Sequence, residues 1–127
     1  MITLATMHNM YSPQVLDHFE RPRNVGRVES ADACVRLENP GCGDILELSM
    51  AVHSGQILEI RFRAKGCVCA MACASAITEM VSGRSIEQAR QVSRPELVKK
   101  LGGLPEASEH ASYLAMDALR ELLQKIK

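Results

Sequence analysis

Two neighbouring segments with alternating side chains constrain the fold of this chain most. Residues 45–52 and 57–63 alternate apolar residues with polar or small ones, and only the short segment 53–56 connects them. A period of two is typical of a strand with one face in the core and the other in water. Because so short a connection joins antiparallel neighbours, the two segments predict a hairpin. A third, shorter strand is predicted over 34–37.

Helical patterns occupy much of the remaining chain. Ser12 and Pro13 predict the start of a first helix over 12–19, and an alanine-rich segment predicts another over 70–81. Two capping boxes open short helices, and they are Ser85 with Gln88 and Ser93 with Glu96. The last helix carries an apolar stripe at spacings of three and four, formed by Ala111, Leu114, Ala115, Ala118, Leu122 and Ile126. This order predicts a single α+β domain over 1–127, with a small three-stranded antiparallel sheet and helices packed on one face.

Charge balance and composition exclude several classes of function. The 127 residues include 15 Lys and Arg against 15 Asp and Glu, so the formal net charge is zero. Without a basic field, and with aromatic residues at only 3%, nucleic-acid binding is not expected. No window approaches the ~18 apolar residues of a membrane span, and the N-terminal segment lacks the basic start of a secretory signal. We therefore expect a cytoplasmic protein without a membrane partner, whose five cysteines stay reduced.

A loop with a cysteine and an aspartate is the first candidate site. Residues 39–44 read Asn-Pro-Gly-Cys-Gly-Asp and lie between two predicted strands. The proline and the glycines favour a rigid, open turn whose backbone a ligand can approach closely. Cys42 and Asp44 are two residues apart, so both side chains can face one metal ion. A β-turn with an incidental cysteine is the alternative interpretation of the same residues.

A second candidate site lies where the third strand meets a helix. Cys67 directly follows Gly66, and the start of a helix favours its thiolate through unpaired N–H groups. Cys69 fits either a ligand or a small core residue. For Cys73, deeper in the helix, and for Cys34, in the first strand, burial in the core is the favoured interpretation.

Several ordered motifs together resemble the IscU/NifU-like iron–sulfur cluster scaffold family. His110 alone would be a surface residue, but here it completes a set of motifs at compatible spacing. The motifs are residues 11–15, 17–19 and 22–26, then Cys42-Gly43-Asp44, Gly66-Cys67, Leu104-Pro105 and His110. The resemblance covers the chain from about residue 11 onwards, and it implies an α+β, IscU-like fold with the site at one end.

The resemblance also implies a function. Members of this family take sulfur from a cysteine desulfurase, assemble a [2Fe-2S] cluster with iron and pass it to apo iron–sulfur acceptor proteins. Many of them bind zinc at the same residues. We therefore expect a scaffold that binds a transient [2Fe-2S] cluster, with Zn²⁺ or Fe²⁺ as the alternative bound species, and not an enzyme.

Four residues match the family's site by position, and they are Cys42, Asp44, Cys67 and His110. The resemblance associates Asp44 with cluster lability, because a carboxylate holds iron less firmly than a thiolate does. The third cysteine of the family pattern is Ala111 in this chain. We hypothesise that Cys69 compensates for it as a third thiolate. The expected ligands for a cluster or a metal ion are then Cys42, Asp44, Cys67, Cys69 and His110.

The same departures from the family pattern keep other functions open. Residues 104–108 read Leu-Pro-Glu-Ala-Ser where many members have Leu-Pro-Pro-Val-Lys, which argues against recognition by an Hsp70-type chaperone. One alternative function is a zinc-binding sulfur acceptor that stimulates a cysteine desulfurase, in which Cys67 or Cys69 takes the sulfur as a low-pKa thiolate. Another is an interaction module that retains the fold without metal chemistry.

Overall fold

Five α-helices and three β-strands are formed within residues 10–41 and 43–126, which are the residues that the computed structural model describes. The elements in chain order are α1 (Pro13–Glu20), β1 (Ala33–Asn39), β2 (Asp44–His53), β3 (Gln56–Lys65), α2 (Val68–Val81), α3 (Ile86–Arg90), α4 (Arg94–Lys100) and α5 (His110–Gln124). A short 3₁₀ turn, Glu106–Ser108, precedes α5. The ends of the predicted strands and of the first two predicted helices move by no more than two residues.

The strands form one antiparallel sheet in the order β1-β2-β3, as the alternating pattern predicted. Leu48 in the central strand lies opposite Val35 of β1 and Phe62 of β3. All three side chains are buried, because directly opposed residues in a sheet point to the same face. Helices α2 and α5 pack against this face, so the predicted α+β class with helices on one side of the sheet is confirmed.

Helix α2 is the centre of the core. Ten of its 14 residues are buried, which is the pattern of a helix covered on nearly all sides rather than an amphipathic surface helix. It contacts β3, α1 and α5. Its many alanines let these neighbours approach its backbone closely.

Ser12 and both predicted capping boxes have the expected geometry. Ser12 Oγ accepts the Val15 N–H at 3.0 Å and begins α1. In α3 and α4 the Ser side chain and the Glu or Gln side chain satisfy each other's backbone N–H groups. These local bonds explain why the helix starts were predictable from sequence alone.

At one position, Ser49, the outer face of the sheet is not exposed to solvent as expected. Ser49 is 1% exposed, because the chain before β1 crosses this face and covers it. The Val28 N–H donates to Ser49 Oγ at 2.9 Å. Earlier in the same segment, Val25 forms a parallel β-bridge with Phe62 of β3. Cys34 lies opposite Ser49 on the same face and is half-buried, so the predicted core position of Cys34 is wrong.

A polar cluster fastens α1 and the segment after it to α2. Ser75 Oγ lies 2.8 Å from His18 Nδ1 and accepts the backbone N–H of Arg23 at 2.9 Å. Arg23 and Lys100 both pair with the carboxylate of Glu79, the next turn of α2. Burial lowers the pKa of His18, and the Arg23 cation adds to that effect, while Glu79 opposes it. The sequence assigned His18 no role by itself, because its partner Ser75 lies far along the chain.

Among the described residues, no helix combines the length and the apolar character needed to cross a membrane.

Candidate metal centre

Three chain segments that are far apart in sequence meet at one end of the sheet. Asp44 is the first residue of β2, Cys67 caps the start of α2, and His110 is the first residue of α5. Because β2 and β3 are antiparallel, the start of β2 lies beside the end of β3, and Ile45 pairs with Lys65. The topology therefore places the Asp44 carboxylate next to the junction that carries Cys67.

The donor atoms of these residues are close enough to bind one ion. One atom each from Asp44, Cys67 and His110 lie within 4.8 Å of one another. Asp44 Oδ2 is 3.6 Å from Cys67 Sγ and 3.2 Å from His110 Nε2. Ligand atoms around a tetrahedral zinc ion are roughly 3.3–3.8 Å apart, given metal–ligand bonds of about 2.0–2.3 Å. The two distances from Asp44 Oδ2 therefore already suit a bound ion, and the Cys67 and His110 donors lie within 4.8 Å of each other.

Burial of the site is asymmetric. Asp44 is 3% exposed, whereas the His110 side chain keeps 33% of its surface in contact with solvent and Cys67 is half-buried. Asp44 Oδ1 accepts the backbone N–H of Cys67 at 3.3 Å, which leaves Oδ2 facing the other two donors. The Asp44 carboxylate therefore forms the buried side of the site. An ion or a partner protein would approach from the solvent side, where Cys67 and His110 are partly exposed.

Cys67 caps helix α2 with its sulfur. Sγ accepts the N–H of Ala70 at 3.4 Å, in the way that a serine oxygen would at the same position. Burial raises the pKa of Cys67, the N–H of Ala70 opposes that rise, and the Asp44 carboxylate adds to it. The expected low-pKa thiolate is therefore wrong for Cys67, because desolvation and a neighbouring carboxylate outweigh the helix N-terminus.

Cys69 lies beside these donors but faces the core. It is fully buried within the first turn of α2. Burial raises the pKa of Cys69, and the Ser108 side chain opposes that rise, so the low-pKa thiolate expected there is wrong too. Ser108 is only two residues before His110, which puts Cys69 at the edge of the site. Cys73, one turn further, is fully buried as predicted. Ala111 is 1% exposed at the start of α5.

Cys42 lies outside the described residues, and its place in the site stays a prediction. The Gly43 N–H donates to Asn39 O at 2.7 Å, the Gly41 N–H donates to Asn39 Oδ1 at 3.1 Å, and Asn39 pairs with Asp44 across the strands. The predicted turn between β1 and β2 is therefore present, and it leads into Asp44, one of the candidate metal ligands.

Sequence reasoning missed a group that supports the start of α5. The Arg94 guanidinium lies 4.5 Å from the centroid of the Tyr113 ring and donates to Ser112 Oγ at 3.4 Å. Ser112 Oγ in turn donates to the backbone oxygen of Glu109 at 2.7 Å. These contacts tie α4 to the first turn of α5 and thereby support His110. No spacing in the sequence connects Arg94 to this turn.

Comparison with known proteins decides the family. Residues 10–127 match the family described as NifU-like N terminal domain. The chain belongs to this family. A relative from Archaeoglobus fulgidus, named iron-sulfur cluster assembly scaffold protein IscU 1, is 44% identical over 90% of this chain and 74% of its own length. The iron-sulfur cluster assembly scaffold protein IscU of Haemophilus influenzae is 37% identical over 92% of this chain and 95% of its own.

Solved structures of NifU-like proteins have the same fold. The N-terminal part of a NifU-like protein from Brucella abortus superposes with a TM-score of 0.77 at 17% identity, covering 94% of this chain and 96% of that one. A putative SUF-system scaffold protein from Fervidobacterium islandicum superposes with a TM-score of 0.70 at 17% identity, over 91% and 98% of the two chains. At these identities the similarity concerns the fold alone, and it agrees with the IscU-like fold expected from the sequence.

Proposed function

We propose that this chain is an iron–sulfur cluster assembly scaffold that binds a transient [2Fe-2S] cluster and transfers it to apo-proteins. It acts as a carrier and not as an enzyme. The observation that carries the proposal is the convergence of Asp44, Cys67 and His110 at one end of the sheet, with donor atoms within 4.8 Å of one another. Relatives that are named IscU scaffold proteins, at 37–44% identity over most of the chain, support it.

Iron and sulfide are the substrates of this function. Thiolate and imidazole suit iron–sulfur and zinc sites alike, and a carboxylate oxygen suits zinc or Fe²⁺. We propose that a cysteine desulfurase supplies the sulfur as a persulfide, which two electrons from a separate reductant convert to sulfide, and that apo iron–sulfur proteins accept the cluster. The partly exposed Cys67 and His110 face the side from which both partners would approach. A cytoplasmic location is part of the proposal, because the chemistry requires reduced thiols.

The proposed ligands are Cys42, Asp44, Cys67 and His110, with Cys69 as a further thiolate for the cluster. The first four would complete a tetrahedral set for a single ion. A [2Fe-2S] cluster also takes four protein ligands, because two sulfides bridge its iron atoms, but it favours thiolates over harder donors, so Cys69 would replace one of the harder donors as a third thiolate. Cys69 is two residues from Cys67, and the Ser108 side chain, which opposes the rise in the pKa of Cys69, belongs to the turn just before His110. Engaging it requires the first turn of α2 to open, because Cys69 is fully buried.

Anaerobic reconstitution tests the proposed function. The full chain is incubated with Fe²⁺ and sulfide, then analysed by visible absorption and by iron and sulfide content, and finally mixed with an apo-ferredoxin. We expect iron and sulfide in equal amounts and transfer of the cluster to the acceptor. Protein that takes up zinc tightly but never iron with sulfide would contradict the proposal. It would favour the zinc-binding sulfur acceptor, for which the Asp-Cys-His donor set is also suitable.

Replacing Asp44 by alanine should slow cluster transfer. A carboxylate oxygen holds iron less firmly than a thiolate sulfur does. The bond between Asp44 and iron would therefore break most readily when the cluster is released. We expect the transfer rate from Asp44→Ala to fall about tenfold, on the order of 1.4 kcal/mol in the barrier. The measurement is the growth of the ferredoxin signal by circular dichroism after mixing. A variant with an unchanged transfer rate would remove this role from Asp44.

Replacing Cys69 by alanine should lower cluster content and leave zinc affinity unchanged. The expected reason is that zinc can be held by Cys42, Asp44, Cys67 and His110, whereas the cluster favours thiolates and uses Cys69 in place of one of the harder donors. Cys73→Ala is the matched control, because Cys73 is equally buried one turn along the same helix. Iron and sulfide content after identical reconstitution is measured for both. Equal content in Cys69→Ala and Cys73→Ala rules out Cys69 as a ligand.

A further inference from the structure

Gly66 stands where the Asp44 carboxylate and the backbone of the β3–α2 junction touch. A Cβ atom added to Gly66 would lie 2.2 Å from Asp44 Oδ1 and 2.6 Å from Asp44 Cγ. Both distances are far below van der Waals contact, and the neighbour is a buried carboxylate with little room to move. Any side chain at this position must therefore displace Asp44.

The same close approach sets the direction of the carboxylate. Because no Cβ intervenes, Asp44 Oδ1 reaches the backbone N–H of Cys67 at 3.3 Å. That bond turns Oδ2 towards Cys67 Sγ and His110 Nε2, at 3.6 and 3.2 Å. A displaced carboxylate would lose the N–H of Cys67, and Oδ2 would leave the position from which it faces both other donors.

The other described glycines do not have this relation to the site. A Cβ added to Gly43, Gly55, Gly83 or Gly103 would meet no atom within 4 Å. Gly102 is also crowded, but by the side-chain amide of Gln14 near the start of α1. Among the described glycines, Gly66 is therefore the one at which an added side chain would collide with a candidate metal ligand, Asp44.

We infer that Gly66 is a positioning residue: its lack of a side chain holds the Asp44 carboxylate between Cys67 and His110 and so sets the metal affinity of the site. This inference rests on the proposed function in one respect, because it concerns the same donor residues, Asp44, Cys67 and His110. Binding of a single metal ion tests it without cluster assembly. If cluster reconstitution fails, the proposed function is overturned, but the affinity for a single metal ion can still be measured and interpreted.

The test is a double-mutant cycle on the full chain, with Co²⁺ as a spectroscopic substitute for Zn²⁺. We expect Gly66→Ala to weaken Co²⁺ binding by about 10–100-fold, which is typical when a group that orients a ligand is lost. In the Asp44→Ala background the same substitution should change the affinity less than about threefold, because the carboxylate it displaces is gone. The thiolate-to-cobalt charge-transfer band should persist in all variants that bind, since Cys67 is unchanged.

Two further comparisons separate positioning from a loss of folding. Gly83→Ala is the matched control for backbone cost, because Gly83 has a φ of +79° and open space around it, and it lies at the far end of α2. It should lower the melting temperature without changing Co²⁺ affinity. If Gly66→Ala fails to fold while Gly66→Ala with Asp44→Ala folds, relief of the contact supports the inference. Equal Co²⁺ affinity of Gly66→Ala and the parent, or misfolding of both Gly66→Ala proteins, would overturn it.

Discussion

Replacing Cys67 by serine is expected to remove most of the stabilisation that zinc gives this protein. A ligand that binds the native state alone at 1,000 times its Kd raises the free energy of unfolding by about 4 kcal/mol. Cys67 is the thiol within the described donor group, and serine is a much weaker ligand for zinc than a thiolate. We therefore expect zinc affinity to fall by at least about 100-fold and the zinc-dependent gain to fall to about 1.4 kcal/mol or less at the same zinc concentration.

Serine is the informative substitution at this position because Cys67 has two roles. Its sulfur caps α2 by accepting the N–H of Ala70, and a serine oxygen can make the same bond. Cys67→Ser should therefore retain the stability of the metal-free protein. Cys34→Ser is the matched control, since Cys34 is half-buried on the outer face of the sheet, away from the three donors. Denaturant unfolding with and without zinc measures both, and equal zinc-dependent gains in the two variants would contradict the assigned site.

Replacing Ser75 by alanine is expected to destabilise the protein by about 2–4 kcal/mol without changing metal affinity. The substitution removes the partner of His18 Nδ1, 2.8 Å away, and of the Arg23 N–H, 2.9 Å away. Each buried polar group left without a partner costs about 1–3 kcal/mol. His18 is 5% exposed, so water reaches it poorly. Both bonds connect α2 to the N-terminal part of the chain, which should loosen first.

The measurement is urea unfolding at pH 8, where His18 is neutral in the folded and the unfolded protein. Burial lowers the pKa of His18 below its ordinary value of about 6.5, so protonation makes no contribution at that pH. Ser82→Ala is the matched control, because Ser82 follows the same helix, is exposed, and makes its hydrogen bond within the described chain through its backbone N–H. It should change stability by less than about 0.5 kcal/mol. A loss no larger for Ser75→Ala than for Ser82→Ala would contradict the role assigned to this cluster.

Most of the secondary structure was predictable because its causes are local. The alternation in β2 and β3 and the capping boxes at Ser85 and Ser93 involve residues at most four positions apart. The wrong expectations have long-range causes. Ser49 is buried by a segment that precedes β1, and Cys34 is left half-buried on that same face. No periodicity within a strand can reveal that another part of the chain covers it.

Three of the five expected ligands were predictable as a group, and their chemistry was not. Resemblance to a family identified Asp44, Cys67 and His110, and the structure brings their donor atoms together. The expectation of a low-pKa thiolate at Cys67 followed from the helix start alone. It was wrong because burial and the carboxylate of Asp44 act in the opposite direction, and both depend on tertiary contacts.

The sequence by itself determined the α+β class, the antiparallel hairpin, the helix starts and the residue types of the site. These follow from side-chain periods and from bonds between near neighbours, which act before the chain is packed. Only the tertiary structure decided that the start of β2, the β3–α2 junction and the start of α5 meet at one point. It also decided that Gly66 touches Asp44 and that His18 meets Ser75, because such contacts depend on how the helices pack on the sheet.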